Sequence, residues 1–202
     1  MSETRTLDLP SVRASPVRWR PGLTRRGRAA GAVYLLLDTS ASMGDADKLP
    51  QLRRGALRFF AEAYGRGYKV GAVQFGDRAR RVAKLSRDFA YFQRCLRPLQ
   101  AEGRTAMSAA LNLAVRQLRR QQRPVIVLIT DGQPNDPLAS RRAALRARAQ
   151  GIRLLPVGVQ GADKAFLASL LPQGELPGWA EPGALAGELR KTAKQLEPGS
   201  LA

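Results

Sequence analysis

The run Val33-Tyr34-Leu35-Leu36-Leu37-Asp38-Thr39-Ser40-Ala41-Ser42 decides the fold. It is apolar without a break as far as Leu37, then turns abruptly to one carboxylate and three hydroxyls. A short run with no polar alternation suits a strand buried on both faces, as in the middle of a parallel sheet. Ligands bind open α/β sheets just beyond the carboxyl ends of such strands. Asp38, Thr39, Ser40 and Ser42 therefore fall where oxygen ligands can converge. These are hard donors, of the kind Mg²⁺, Ca²⁺ and Mn²⁺ prefer. Asp and Ser also cap helices, so this loop alone does not decide between a site and a turn.

Further along the chain, Val125-Ile126-Val127-Leu128-Ile129-Thr130-Asp131-Gly132 repeats the design, a buried-type strand ended by a carboxylate and a glycine. Between the two, Glu102-Gly103-Arg104-Thr105-Ala106-Met107 sets one threonine after a glycine-containing loop, at the start of a helical pattern. Other strands are expected over 69–75, 81–85 (an antiparallel edge, guarded by Arg and Lys), 152–159 and briefly within 174–181. Helical spacing of apolar residues predicts helices over 49–64, from Asp88 to Leu96, to about Arg120, over 137–150, 162–171 and 183–195. Strands alternating with helices imply parallel βαβ crossovers. The expected fold is a Rossmann-like, doubly wound α/β domain of about six strands, mostly parallel, with helices on both faces.

Asp-x-Ser-x-Ser, then a threonine, then Asp-Gly, in that order and on those elements, resembles a von Willebrand factor type A domain. The resemblance runs from about Ala32 to Gln195. It implies a metal-ion-dependent adhesion site made by Asp38, Ser40, Ser42, Thr105 and Asp131. In one state of such a site Ser40, Ser42 and Thr105 would ligate directly, and Asp38 and Asp131 through waters. The remaining position would be left to an Asp or Glu of a partner, with Thr39, Arg104 and Gly132 expected at the contact. Neutral hydroxyl ligands leave a cation electrophilic, which suits an external anion. Too few protein ligands exist for a Ca²⁺ cage, so Mg²⁺ is the expected ion, ahead of Mn²⁺ and Ca²⁺. Stand-alone bacterial domains of this type work beside ring-forming AAA ATPases of the MoxR or metal-chelatase type, so an adaptor role is a further implication.

The 202 residues divide into a basic arm (1–31) with seven Arg and three Pro, a domain (32–196) and a tail (197–202). The net charge of +18, from 34 basic and 16 acidic residues, favours acidic partners in general. A nucleic-acid-associated protein with a structural metal site is therefore the alternative reading. No apolar run approaches the ~20 residues of a membrane span, and the first residues show no secretory pattern, so a cytoplasmic protein is expected. Cys95 is the single cysteine and is expected in the core; there is no histidine. The sequence has no phosphate-binding Gly-x-x-x-x-Gly-Lys-Ser/Thr loop. An aspartyl phosphotransferase reading of Asp38 fails because Ser40, not a second carboxylate, follows it by two. With no base–nucleophile pair visible, the chain is expected not to be an enzyme.

Overall fold

The computed structural model describes residues 29–44, 47–181 and 183–198. Most of the basic arm, Asp45 and the end of the tail lie outside these residues. Six strands and six α-helices follow one another as β1 (Gly31–Asp38), α1 (Lys48–Gly65), β2 (Tyr68–Phe75), β3 (Ala79–Ser86), α2 (Phe89–Leu96), α3 (Met107–Leu118), β4 (Pro124–Thr130), α4 (Pro137–Ala149), β5 (Arg153–Val159), α5 (Lys164–Ala168), β6 (Gly178–Ala180) and α6 (Leu185–Lys194). A single turn of 3₁₀-helix, Ala41–Gly44, leaves β1. The helix expected over 162–171 is shorter than its apolar pattern suggests. Asp163 caps it by accepting from the Phe166 N–H at 2.9 Å, which delays its start to Lys164.

The strand order is β3-β2-β1-β4-β5-β6, parallel throughout except for the antiparallel β2–β3 edge. β1 explains its own unbroken apolar run. Val33, Leu35 and Leu37 enter one core with Leu52, Phe59 and Phe60 of α1, Phe92 of α2 and Leu189 of α6. Ala32, Tyr34 and Leu36 enter a second core with Leu111 of α3, Ala144 of α4 and Phe166 of α5. Each Leu so buried contributes about 1.5–3 kcal/mol. Two tyrosines complete the β1–β2 pair: Tyr34 lies over Gly71 and Tyr68 over Gly31, where any Cβ would collide with the ring. Cys95, expected in the core, is only half-buried at the margin of the first core, as are Tyr64 and Tyr91.

Part of the arginine excess is structural. Arg66, Arg123 and Arg153 donate to the carbonyls of Leu196, Pro198 and Gln195 at 2.9, 3.0 and 2.9 Å. They hold the chain leaving α6 against the amino ends of the strands, where helix-end carbonyls favour cations. Arg53 of α1 is half-buried and donates to the Leu99 carbonyl. Arg146 ties α4 to α3 through Asn112 at 2.9 Å.

Candidate metal centre

The chain runs outward to β2 and β3 on one side of β1 and to β4, β5 and β6 on the other. The reversal falls between β1 and β4, and a crevice opens at their carboxyl ends, where doubly wound sheets bind ligands. The register that pairs Leu37 with Ile129 brings Asp38 beside Thr130, the last residue of β4. The Thr130 hydroxyl donates to Asp38 Oδ2, and the Ser40 backbone N–H donates to Asp38 Oδ1 at 2.8 Å.

Backbone bonds fix the surrounding loops. The Thr39 N–H donates to the Phe75 carbonyl at 2.8 Å, the Glu102 N–H to the Thr39 carbonyl at 2.7 Å, and the Ala41 N–H to the Gly103 carbonyl at 3.0 Å. Gly103 sits at φ +73°, and a Cβ there would overlap the Asp77 carboxylate, so this corner requires glycine. Asp77 in turn accepts from the Arg104 N–H at 2.9 Å. Asn135 holds Thr105 from the other side, accepting from its N–H at 2.9 Å and donating to its carbonyl at 3.1 Å.

Three hydroxyls and two carboxylates thus meet. Ser40 Oγ lies 3.2 Å from Ser42 Oγ, and Ser42 Oγ donates to Asp131 Oδ1 at 2.8 Å. A Cβ built on Gly132 would stand 3.8 Å from Thr105 Oγ1 and 4.0 Å from Ser42 Oγ, so the missing side chain leaves a hollow between them. Asp38, Ser40, Thr105 and Asp131 are buried, and Ser42 faces solvent. The site is deep but open on one side.

The two carboxylates are neutralised unequally. Lys48 Nζ donates to Asp131 Oδ2 at 2.7 Å. Asp38 has no ion-pair partner among the described residues and is fully buried. Burial pushes its carboxyl up to about 6, against the pull of the Ser40 and Thr130 hydrogen bonds and with a small push from the Asp131 charge. A divalent cation in the hollow would supply the countercharge that Asp38 lacks. The donor set of hydroxyls and carboxylates fits a hard ion.

Thr39 is corrected by the structure. It is wholly buried, and its hydroxyl donates to the Phe75 carbonyl at 3.3 Å, so it secures the loop and cannot meet a partner. Arg104 is exposed and Gly132 half-buried at the mouth. Asp136 caps α4 through the Ala139 N–H at 2.8 Å, and Asp47 pairs with Arg54, so neither carboxylate turns to the hollow. Lys48, Thr130 and Asn135 escaped sequence reading. Thr130 adjoins Asp131 and was legible as a strand end, but nothing local marks the other two.

Fold and site together define a doubly wound α/β domain with an oxygen-lined crevice at its topological switch point. Residues 32–176 match the family model of the von Willebrand factor type A domain, and the chain belongs to that family, whose domains mediate protein interactions. Over 154 residues it is 30% identical to Rv2850c, an uncharacterized protein of Mycobacterium tuberculosis, and the match spans 68% of this chain and 24% of that protein. The chain therefore spans about a quarter of that relative's length. The vWF domain of the type V pili tip protein Mfa5 from Porphyromonas gingivalis superposes with a TM-score of 0.75 at 13% identity, covering 85% of this chain and 97% of that one. Proximal thread matrix protein 1 from the mussel byssus, in a structure with a zinc-occupied MIDAS motif, gives 0.64 at 16% identity, over 82% and 46% of the two chains. These likenesses are of fold. No helix among the described residues is long and apolar enough to cross a membrane.

Proposed function

We propose that this domain binds a partner protein through a divalent cation, Mg²⁺ in the cell, held by Ser40, Ser42 and Thr105 and served by Asp38 and Asp131. The observation that carries this reading is Asp38: a buried carboxylate with no cationic partner among the described residues, at the edge of a hollow lined by hydroxyls. An ion bound mostly by neutral oxygens keeps net positive charge and takes an anionic ligand at its open position. That ligand is an Asp or Glu of the partner, approaching past Ser42, Gly132 and Arg104. Beside the Asp131 loop an open cavity of about 270 Å³, lined by Gln133, Pro134, Pro137, Arg141 and Phe166, gives room for the residue next to it. In this reading the domain is a binding module and not an enzyme. It works in the cytoplasm, and an adaptor to a ring-forming AAA ATPase of the MoxR or chelatase type is its most specific assignment.

The test is capture from native lysate by wild type and by Asp38→Ala/Ser40→Ala, in Mg²⁺ and in EDTA. A protein retained only by wild type with Mg²⁺ is the expected result. Equal, metal-independent and salt-sensitive retention of nucleic acid by both forms would replace this reading with the alternative one.

A further inference from the structure

Lys48 opens α1 and reaches back over the hollow. Its ammonium donates to Asp131 Oδ2 at 2.7 Å and to the Ser42 carbonyl at 3.1 Å, touching two of the residues that would hold the metal. The Asp131 side chain has no exposure and that of Lys48 only 20%, so the pair sits at the wall of the site and not in bulk water. The result is the asymmetry noted above, in which, among the described residues, Asp131 has a cation and Asp38 has none.

We propose that Lys48 is a tethered resident cation of the site: it neutralises Asp131 in the metal-free domain and competes with the divalent ion for it. The inference rests on the metal-binding reading above. An ion held by the Ser40 and Ser42 hydroxyls and facing Asp131 would share that carboxylate with the ammonium, and a double and a single positive charge on one carboxylate repel strongly even at high effective dielectric. Entry of the metal therefore requires Lys48 to withdraw or to weaken its hold on Asp131. Lys48 sets the cation concentration at which the domain becomes competent to bind. It also keeps the empty site from exposing two unscreened carboxylates to each other.

Mn²⁺ binding, read directly by electron paramagnetic resonance of the free ion, separates the possibilities. Lys48→Met removes the charge and keeps most of the stem, Lys48→Gln keeps a hydrogen-bond donor for Asp131, and Lys48→Arg keeps the charge. Met and Gln variants are expected to bind Mn²⁺ about tenfold more tightly than wild type, the Arg variant within about threefold of it, as follows from charge repulsion at one shared carboxylate. In EDTA the Met variant should melt below wild type, because a buried carboxylate has lost its partner, and it should gain more from added Mn²⁺. The Gln variant guards against a Met variant too unstable to measure. Unchanged or weaker Mn²⁺ binding in both uncharged variants, with wild type binding normally, overturns the competition and leaves the metal site standing. Binding by none of the four proteins overturns both.

Discussion

Asp38→Asn should stabilise the metal-free domain while abolishing its metal binding. In the folded protein the Asp38 carboxyl stands at about 6, against 3.8 for the unconstrained side chain. Each pH unit of that difference corresponds to about 1.4 kcal/mol, so at neutral pH the ionised carboxylate costs the metal-free fold about 3 kcal/mol. The sign follows from the raised value: its contribution to stability is complete below about pH 4 and is lost as pH rises through 6. Asparagine has nothing to ionise. Its carbonyl can still accept from the Ser40 N–H, and its amide can donate to Thr130 Oγ1, whose own proton can then turn to the Gly132 carbonyl at 3.3 Å. Urea denaturation in EDTA should therefore find the variant equal to wild type near pH 4 and more stable by about 3 kcal/mol at pH 7.5. Mg²⁺ at about a hundred times its dissociation constant should restore about 2.7 kcal/mol to wild type alone and nearly close the gap. A variant less stable than wild type at pH 7.5 in EDTA, or a difference indifferent to pH, would refute this account of Asp38.

Other perturbations probe the remaining parts. Ser42→Ala removes a hydroxyl ligand and the donor to Asp131 Oδ1; Mn²⁺ affinity should fall at least about tenfold, for about 1 kcal/mol of stability in EDTA, the ordinary worth of one hydrogen bond. Asn135→Ala cuts the clasp on Thr105, so hydrogen exchange over 102–106 should quicken and Mn²⁺ affinity drop severalfold; unchanged exchange would show that the Gly103 corner suffices. Gly158→Ala sets a Cβ against the Trp179 ring and Leu167, and should cost about 1–3 kcal/mol in urea and shift Trp179 fluorescence as β6 is displaced.

What the sequence reveals of this molecule is local in range. β1 and β4 were readable because a strand covered on both faces needs apolar residues at every position, a demand visible in any ten-residue window. The antiparallel edge, the helix start at Asp88 and the breaks near Gly67 and Gly151 were readable from similarly local signals, whereas the cap at Asp136 was not read. Asp38, Ser40, Ser42 and Asp131 could be singled out because the ends of parallel strands converge at one edge of the sheet. Family resemblance, not spacing, added Thr105.

What the sequence could not supply depends on which atoms meet across the chain. Thr39 lies between two candidate ligands and looks equally available, yet strand pairing turns its hydroxyl to Phe75 and seals it. Lys48 reads as an ordinary basic residue at a helix start, 83 positions from the aspartate it neutralises. The arginines read as a uniform field, whereas several are spent on carbonyls and amides of neighbouring elements. Periodicity reports which face of an element is buried, because burial is a property of each strand or helix by itself. Which buried carboxylate receives a cation and which is left waiting for one is a property of the packed whole, and only tertiary structure decided it.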